Sequence, residues 1–161
     1  MDIFKDYEKL KTNTEYKKFQ RDEPDYYLVH ILIPDDNSSL EFGFFSPKKN
    51  KIIVFKTNPY QKMPEDDAFK EGKTITELDI NNIKINFKDA MNKAQEILKK
   101  DHSAELVKKK IILLQHIQED VWNLTFICTS LNIINIRINA KTGTVIRNHK
   151  DSLLNMAGMA K

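Results

Sequence analysis

A chain of 161 residues, 40% hydrophobic and 30% charged, belongs to the globular class and can bury a core without a disulfide or metal. Its 26 Lys and Arg against 23 Asp and Glu leave a net charge of +3, spread along the chain, which argues against the concentrated basic face of a nucleic-acid binder. The single cysteine, Cys128, excludes an intrachain disulfide, and no apolar run is long enough for a membrane-spanning helix.

The N-terminal residues are charged from Asp2 onward and lack the apolar segment of a signal peptide. With a lone thiol in an apolar run, this leads to the expectation of a cytoplasmic location. Residues 2–20 have helical periodicity, with Ile3, Phe4, Tyr7 and Leu10 on one face. Thr12 and Glu15 stand at capping-box spacing, so a break near Thr12 would divide the segment into two helices. Pro24 ends it. Residues 27–33, 40–45 and 52–55 are rich in aromatic and β-branched residues and are separated by Pro-, Asp- and Asn-containing turns. They predict three strands in an antiparallel meander.

Residues 59–84 contain Pro59, Pro64, Gly72 and an acidic run at Glu65, Asp66 and Asp67. They read as a connecting loop anchored by Ile75, Leu78, Ile80 and Ile83. Asn86 is positioned to cap a helix from Phe87 to about Lys100, with Phe87, Ala90, Met91, Ala94, Ile97 and Leu98 as its apolar stripe. Strands follow at 107–117, 121–128 and 133–138. A turn at Gly143 and a short fourth strand at Val145 and Ile146 come next. The last segment, from Leu153 to Ala160, is apolar nearly all round and reads as a helix capped by Asp151 or Ser152. Such a helix either docks on its own core or meets another chain.

Each half thus reads as a helix followed by three strands, a pattern compatible with a tandem repeat: residues 1–58, the loop 59–84, and residues 85–161. The fold class expected is α+β, with the two units either joined in one compact domain or docked face to face.

The helix holding Ala90 and Ala94, the strand led by Trp122-Asn123-Leu124-Thr125-Phe126 and the turn with Thr142, Gly143 and Val145 resemble the PepSY-like family over residues 84–148. That family shows A-x-x-x-A in its helix, a tryptophan in a strand, and D-x-x-T-G-x-V. Asn139 stands here where the family often has aspartate. The resemblance implies a cystatin-like α+β fold without catalysis, in a family associated with protease propeptides, inhibition and regulation of partner proteins.

No glycine-rich phosphate loop or nucleophile elbow is present. His30, His102, His116 and His149 have no metal-ligand spacing. Tyr27, Asp25, His116 and Glu119 are the residues from which an acid–base site could be drawn. No enzyme activity, cofactor or metal is expected. The expected function is a non-catalytic protein- or peptide-binding or regulatory module, whose partner is another protein or a second copy joined through the C-terminal helix. The candidate contact residues are Trp122, Leu153, Leu154, Met156 and Met159. The alternatives are a small-molecule-binding or enzymatic cystatin-like cone and a weak nucleic-acid binder acting through surface lysines. Lys108, Lys109 and Lys110 read as a lysine-rich strand edge that discourages sheet-to-sheet aggregation.

Overall fold

In the computed structural model, which describes residues 1–68 and 75–156, two short helices open the chain: α1 (Ile3–Thr12) and α2 (Thr14–Asp22). The Asp2 carboxylate accepts from the Phe4 and Lys5 amides and caps α1. The break falls at Asn13 rather than Thr12. Asn13 is extended (φ −67°, ψ 134°), and its side chain accepts from the Tyr16 amide at 3.1 Å. Thr12 instead donates its hydroxyl to the Lys9 carbonyl within α1, so it is unavailable as a cap.

The next segments are β1 (Tyr27–Ile33), β2 (Glu41–Ser46) and β3 (Lys51–Lys56), an antiparallel meander as expected. Two-residue strands β4 (Gln61–Lys62) and β5 (Asp66–Asp67) both pair with β3. From residue 75 onward the connector is held down by its anchors. Leu78 and Ile83 are buried in the main core, Ile80 packs against it, and the Leu78 amide donates to the Leu28 carbonyl.

Helix α3 (Phe87–Asp101) begins at its Asn86 cap, whose side chain accepts from the Asp89 amide at 2.8 Å. It leads into β6 (Val107–Ile117), β7 (Glu119–Cys128), β8 (Asn132–Asn139) and β9 (Val145–Ser152). The described C-terminal helix, α4, spans Leu153–Met156; the remainder of the segment predicted as helix lies outside the described residues. The last strand is eight residues long rather than short. Most of it is exposed, so the alternating apolar signal that reveals a half-buried strand is missing. Its backbone ladder with β8 defines it instead.

The two halves are not separate bodies. Strand β1 pairs antiparallel with β6, His30 facing Gln115 and Ile33 facing Ile112. The result is one nine-stranded antiparallel sheet in the order β4-β3-β2-β1-β6-β7-β8-β9, with β5 also on β3. Helices α1, α2 and α3 lie over one face. The main core there combines Leu10, Tyr16 and Phe19 from α1 and α2, Ala90 and Ala94 from α3, and alternate residues of both strand groups, such as Phe42, Phe55, Leu114, Leu124 and Ile136. Both alanines are fully buried, so the α3 backbone approaches the sheet closely; a larger side chain there would overpack the contact.

Trp122 is wholly buried, and its indole N–H donates to the Ile85 carbonyl at 2.8 Å. That interaction ties the end of the connector to β7. Trp122→Ala is expected to cost about 3–5 kcal/mol. Trp122→Phe should cost less, because it keeps most of the volume and loses the hydrogen bond. Urea denaturation of the full chain gives both values, and equal costs would assign the loss to the hydrogen bond that both variants lack and deny the lost volume its part.

Candidate functional site

With one face of the sheet filled by helices, the side chains that alternate to the other face meet solvent or the connector. Over β2 and β3 the connector covers that face: Val29, Phe45 and Ala68 form a second small core, with Tyr27, Ile52 and Ile75 packed against it. The Tyr27 hydroxyl donates to the Ile75 carbonyl at 2.6 Å, fixing the returning segment above the sheet. Beyond this cover the face opens into a cavity of about 650 Å³ lined by residues that include His30, Ile75, Gln115, His116, Asn123 and Arg137.

The pairing register builds the cavity floor. His30 faces Gln115 across β1 and β6, and Asn123 faces Arg137 across β7 and β8. A bulge at Val29 shifts the β1 register, so that both Val29 and His30 line the cavity. Gly43 lies opposite His30 on β2, and a Cβ at that position would clash with the imidazole ring, 2.1 Å from its Cε1. Glycine is required here for the close approach of the ring to the β2 backbone.

Burial pushes the His30 imidazole below its ordinary range, and the Glu41 carboxylate partly offsets this. Burial first, and the charge of Arg147 second, lower the pKa of Arg137. Its guanidinium stays protonated at neutral pH. The Asn135 side-chain amide donates to Asn123 Oδ1 at 2.8 Å and to the Thr125 hydroxyl at 3.1 Å, which holds Asn123 in place on the floor.

At the rim, Gln118 turns the tight β6–β7 hairpin with φ +62°, a region that a residue with a Cβ occupies at a cost. His116 Nδ1 and Asp120 Oδ1, 2.9 Å apart, bridge the hairpin on either side of it. Tyr27, Asp25 and Glu119 do not join His116 in a common site. Tyr27 is bonded to the connector, Asp25 accepts from the Ser46 hydroxyl, and Glu119 accepts from the Asn139 amide.

The proposed contact residues are dispersed. Trp122 cannot meet a partner, because it is fully buried and its N–H is satisfied. Leu153 is half-buried, its amide donating to the Leu131 carbonyl, and Leu154 is exposed. Met156 ends α4, and Met159 lies outside the described residues. Cys128 is buried in β7, and desolvation, with Glu105 nearby, raises its thiol pKa; it is a core residue. Lys109 and Lys110 lie where β6 overhangs β1, and the Lys110 amide donates to the Asp35 carboxylate. They therefore occupy a local strand edge although β6 itself is interior. No trio of His, Cys, Asp or Glu among the described residues is grouped to hold a metal ion, and no described helix is long and apolar enough to cross a membrane.

The cavity residues His30, Gln115, Asn123 and Arg137 were missed by the sequence reading. Their available signal was a polar residue recurring inside otherwise apolar strands, at the alternate positions that a helix-covered sheet turns outward.

No family model matches the chain, and no curated protein matches it. A solved structure of a candidate lipoprotein from Clostridium difficile 630 is similar in fold, at 18% identity and a TM-score of 0.52. The likeness covers 85% of this chain and 90% of that one. The expected cytoplasmic location is corrected by this finding: a solved structure similar in fold is that of a candidate lipoprotein.

A pH dependence follows from His30. The unfolded chain binds a proton at this side chain below about pH 6.5, whereas the folded protein resists protonation. The stability that neutral His30 contributes is present above that pH and is lost as pH falls through the lowered folded value. Urea midpoints should therefore fall between about pH 7.5 and about pH 5, and His30→Gln should lessen the fall. Equal falls in the two proteins would show that His30 is not the coupled group.

Proposed function

We propose that this chain is a non-catalytic binding module that holds a segment of a protein or peptide against the open face of its sheet. The observation that carries the reading is the cavity of about 650 Å³ between the connector and the β6–β8 strands. It lies on the sheet face that the helices leave free. Its volume falls within the ~300–1,000 Å³ of ordinary binding clefts and suits one or two side chains or a chain terminus. Its lining supplies amides, an imidazole and a guanidinium beside the apolar wall of Val29, Ile52 and Ile75, a mixture suited to orienting a bound segment.

The two halves are read as related helix-plus-strand units, the second PepSY-like. Support comes from the strand order, which runs β3-β2-β1 and then β6-β7-β8 outward from the central pair. Support also comes from the family-pattern residues: Ala90 and Ala94 are buried under α3, Trp122 is in the core, and Gly143 turns at φ +78°. The likeness to a candidate lipoprotein favours a site of action outside the cytoplasm.

A second reading, a small-molecule or enzymatic site, is favoured by one observation, the His116–Asp120 pair at the cavity rim. The same pair is accounted for structurally by its position across the strained turn at Gln118.

Peptide display against the full chain tests the first reading. Enriched peptides should perturb the amide signals of Ile52, His30, Gln115 and Asn123 in NMR spectra while leaving α1 and α3 unshifted, and Gln115→Trp, which fills the floor, should abolish the effect. Peptides that shift only β9 or the helices would overturn it. Capture of a small metabolite whose binding is lost on Asp120→Asn would move the assignment to the second reading.

A further inference from the structure

Arg137 and Arg147 stand directly opposite each other across β8 and β9 and share the open face. The register shift after Arg137 creates this pairing: Ile138 faces Val145 and Arg137 faces Arg147, so Ile146 is passed over. Like charges directly opposite destabilise a sheet, and here one of them is half-buried at the cavity floor. Neither arginine has a carboxylate within ion-pair distance among the described residues. The Arg137 Nε–H is buried without an acceptor, and so is Asn135 Oδ1 nearby on the same strand face. Gln115 and Asn123 add neutral amides to the same lining.

A buried donor on a cation that meets no acceptor carries a desolvation cost, and a second cation beside it adds to that cost. An anion in the cavity removes both. A guanidinium presents a planar fork that matches a carboxylate in a bidentate pair, and the flanking amides can serve the carboxylate's remaining lone pairs.

From this geometry we propose that the cavity is a carboxylate-recognition site, with Arg137 as the bidentate anchor and Arg147 as a flanking charge. The carboxylate belongs to a chain terminus or an acidic side chain of the bound segment. The inference rests on the reading of the open face as the binding surface, and it names the chemical group recognised there.

NMR titration of the full chain with N-acetylglycine, a mimic of a peptide C-terminus, tests it against N-acetylglycinamide and inorganic phosphate at constant ionic strength. N-acetylglycine should give saturable shifts of the Gln115 and Asn123 side-chain amides and of Arg137 Nε–H, and the amide should give none. Arg137→Gln should weaken binding about tenfold or more. Arg137→Lys should weaken it as well, since the charge is kept and the fork is lost. Arg147→Gln, which relieves the repulsion, should raise the urea midpoint of the free protein while weakening N-acetylglycine; a variant that only damaged the fold would lower that midpoint. Absence of saturable shifts, or unchanged binding in Arg137→Gln, would overturn the assignment. Preference for phosphate at Arg137 would overturn the carboxylate class. If displayed peptides bind the open face with equal affinity in Arg137→Gln, the carboxylate inference alone fails; if neither the peptides nor N-acetylglycine perturb that face, both readings fail.

Discussion

The pairing of β1 with β6 is the constraint on which the rest of the structure depends. Residues 30–33 of the first half and 112–115 of the second are hydrogen-bonded neighbours. That ladder makes one sheet out of two strand groups that are far apart in sequence. It also decides the faces. Because side chains alternate along a strand, setting Ile31 against Leu114 and Ile33 against Ile112 directs both groups' large apolar residues to the same side. The three longer helices can then share one core. A slip of one residue would turn one strand over relative to the other, setting His30 beside Leu114 and Ile31 beside Leu113, so the buried apolar pattern and the polar floor of the cavity are two results of one register.

The open face is a less settled environment than the helical face. On the helical side the Trp122 indole is tied to the Ile85 carbonyl, and the Tyr16 hydroxyl is the buried polar atom left without a partner among the described residues. The open side carries a half-buried imidazole whose pKa desolvation lowers, an arginine pair without an acid among the described residues, and buried Asn135 and Arg137 atoms lacking partners. Costs of this kind concentrate where a surface is built to meet something else, because the groups are satisfied only in the complex. The strained backbone at Gln118 stands at the rim of the same cavity. The His116–Asp120 bridge holds that turn, which gives this aspartate–histidine contact at the cavity rim a structural task.

The likeness to the candidate lipoprotein spans most of both chains at 18% identity, and it is a likeness of architecture. A sheet of this kind asks for alternating apolar residues on the covered face and leaves the other face free to vary. Chains with little sequence in common can therefore share it while differing in the residues that bind.

Local order was determined by the sequence itself. The caps at Asp2 and Asn86, the three strands of the first meander, the long helix with its buried alanines and the anchors Leu78 and Ile83 all express interactions between residues close in the chain, or one apolar period. The break at Asn13 was visible to within one residue, and only the actual hydrogen bonds distinguished its cap from Thr12. Strand β9 was legible only as a short strand at Val145 and Ile146, because the pairing of the rest is carried by the backbone and most of its side chains face water. Trp122, whose residue type suits either a core or an interface, was assigned to the core by what surrounds it. The union of the two halves, the choice of open face, and the meeting of His30, Gln115, Asn123 and Arg137 belonged to the tertiary structure. They depend on which strand edges find each other across some eighty residues of chain, a choice made by the summed burial of the whole sheet and written in no local segment.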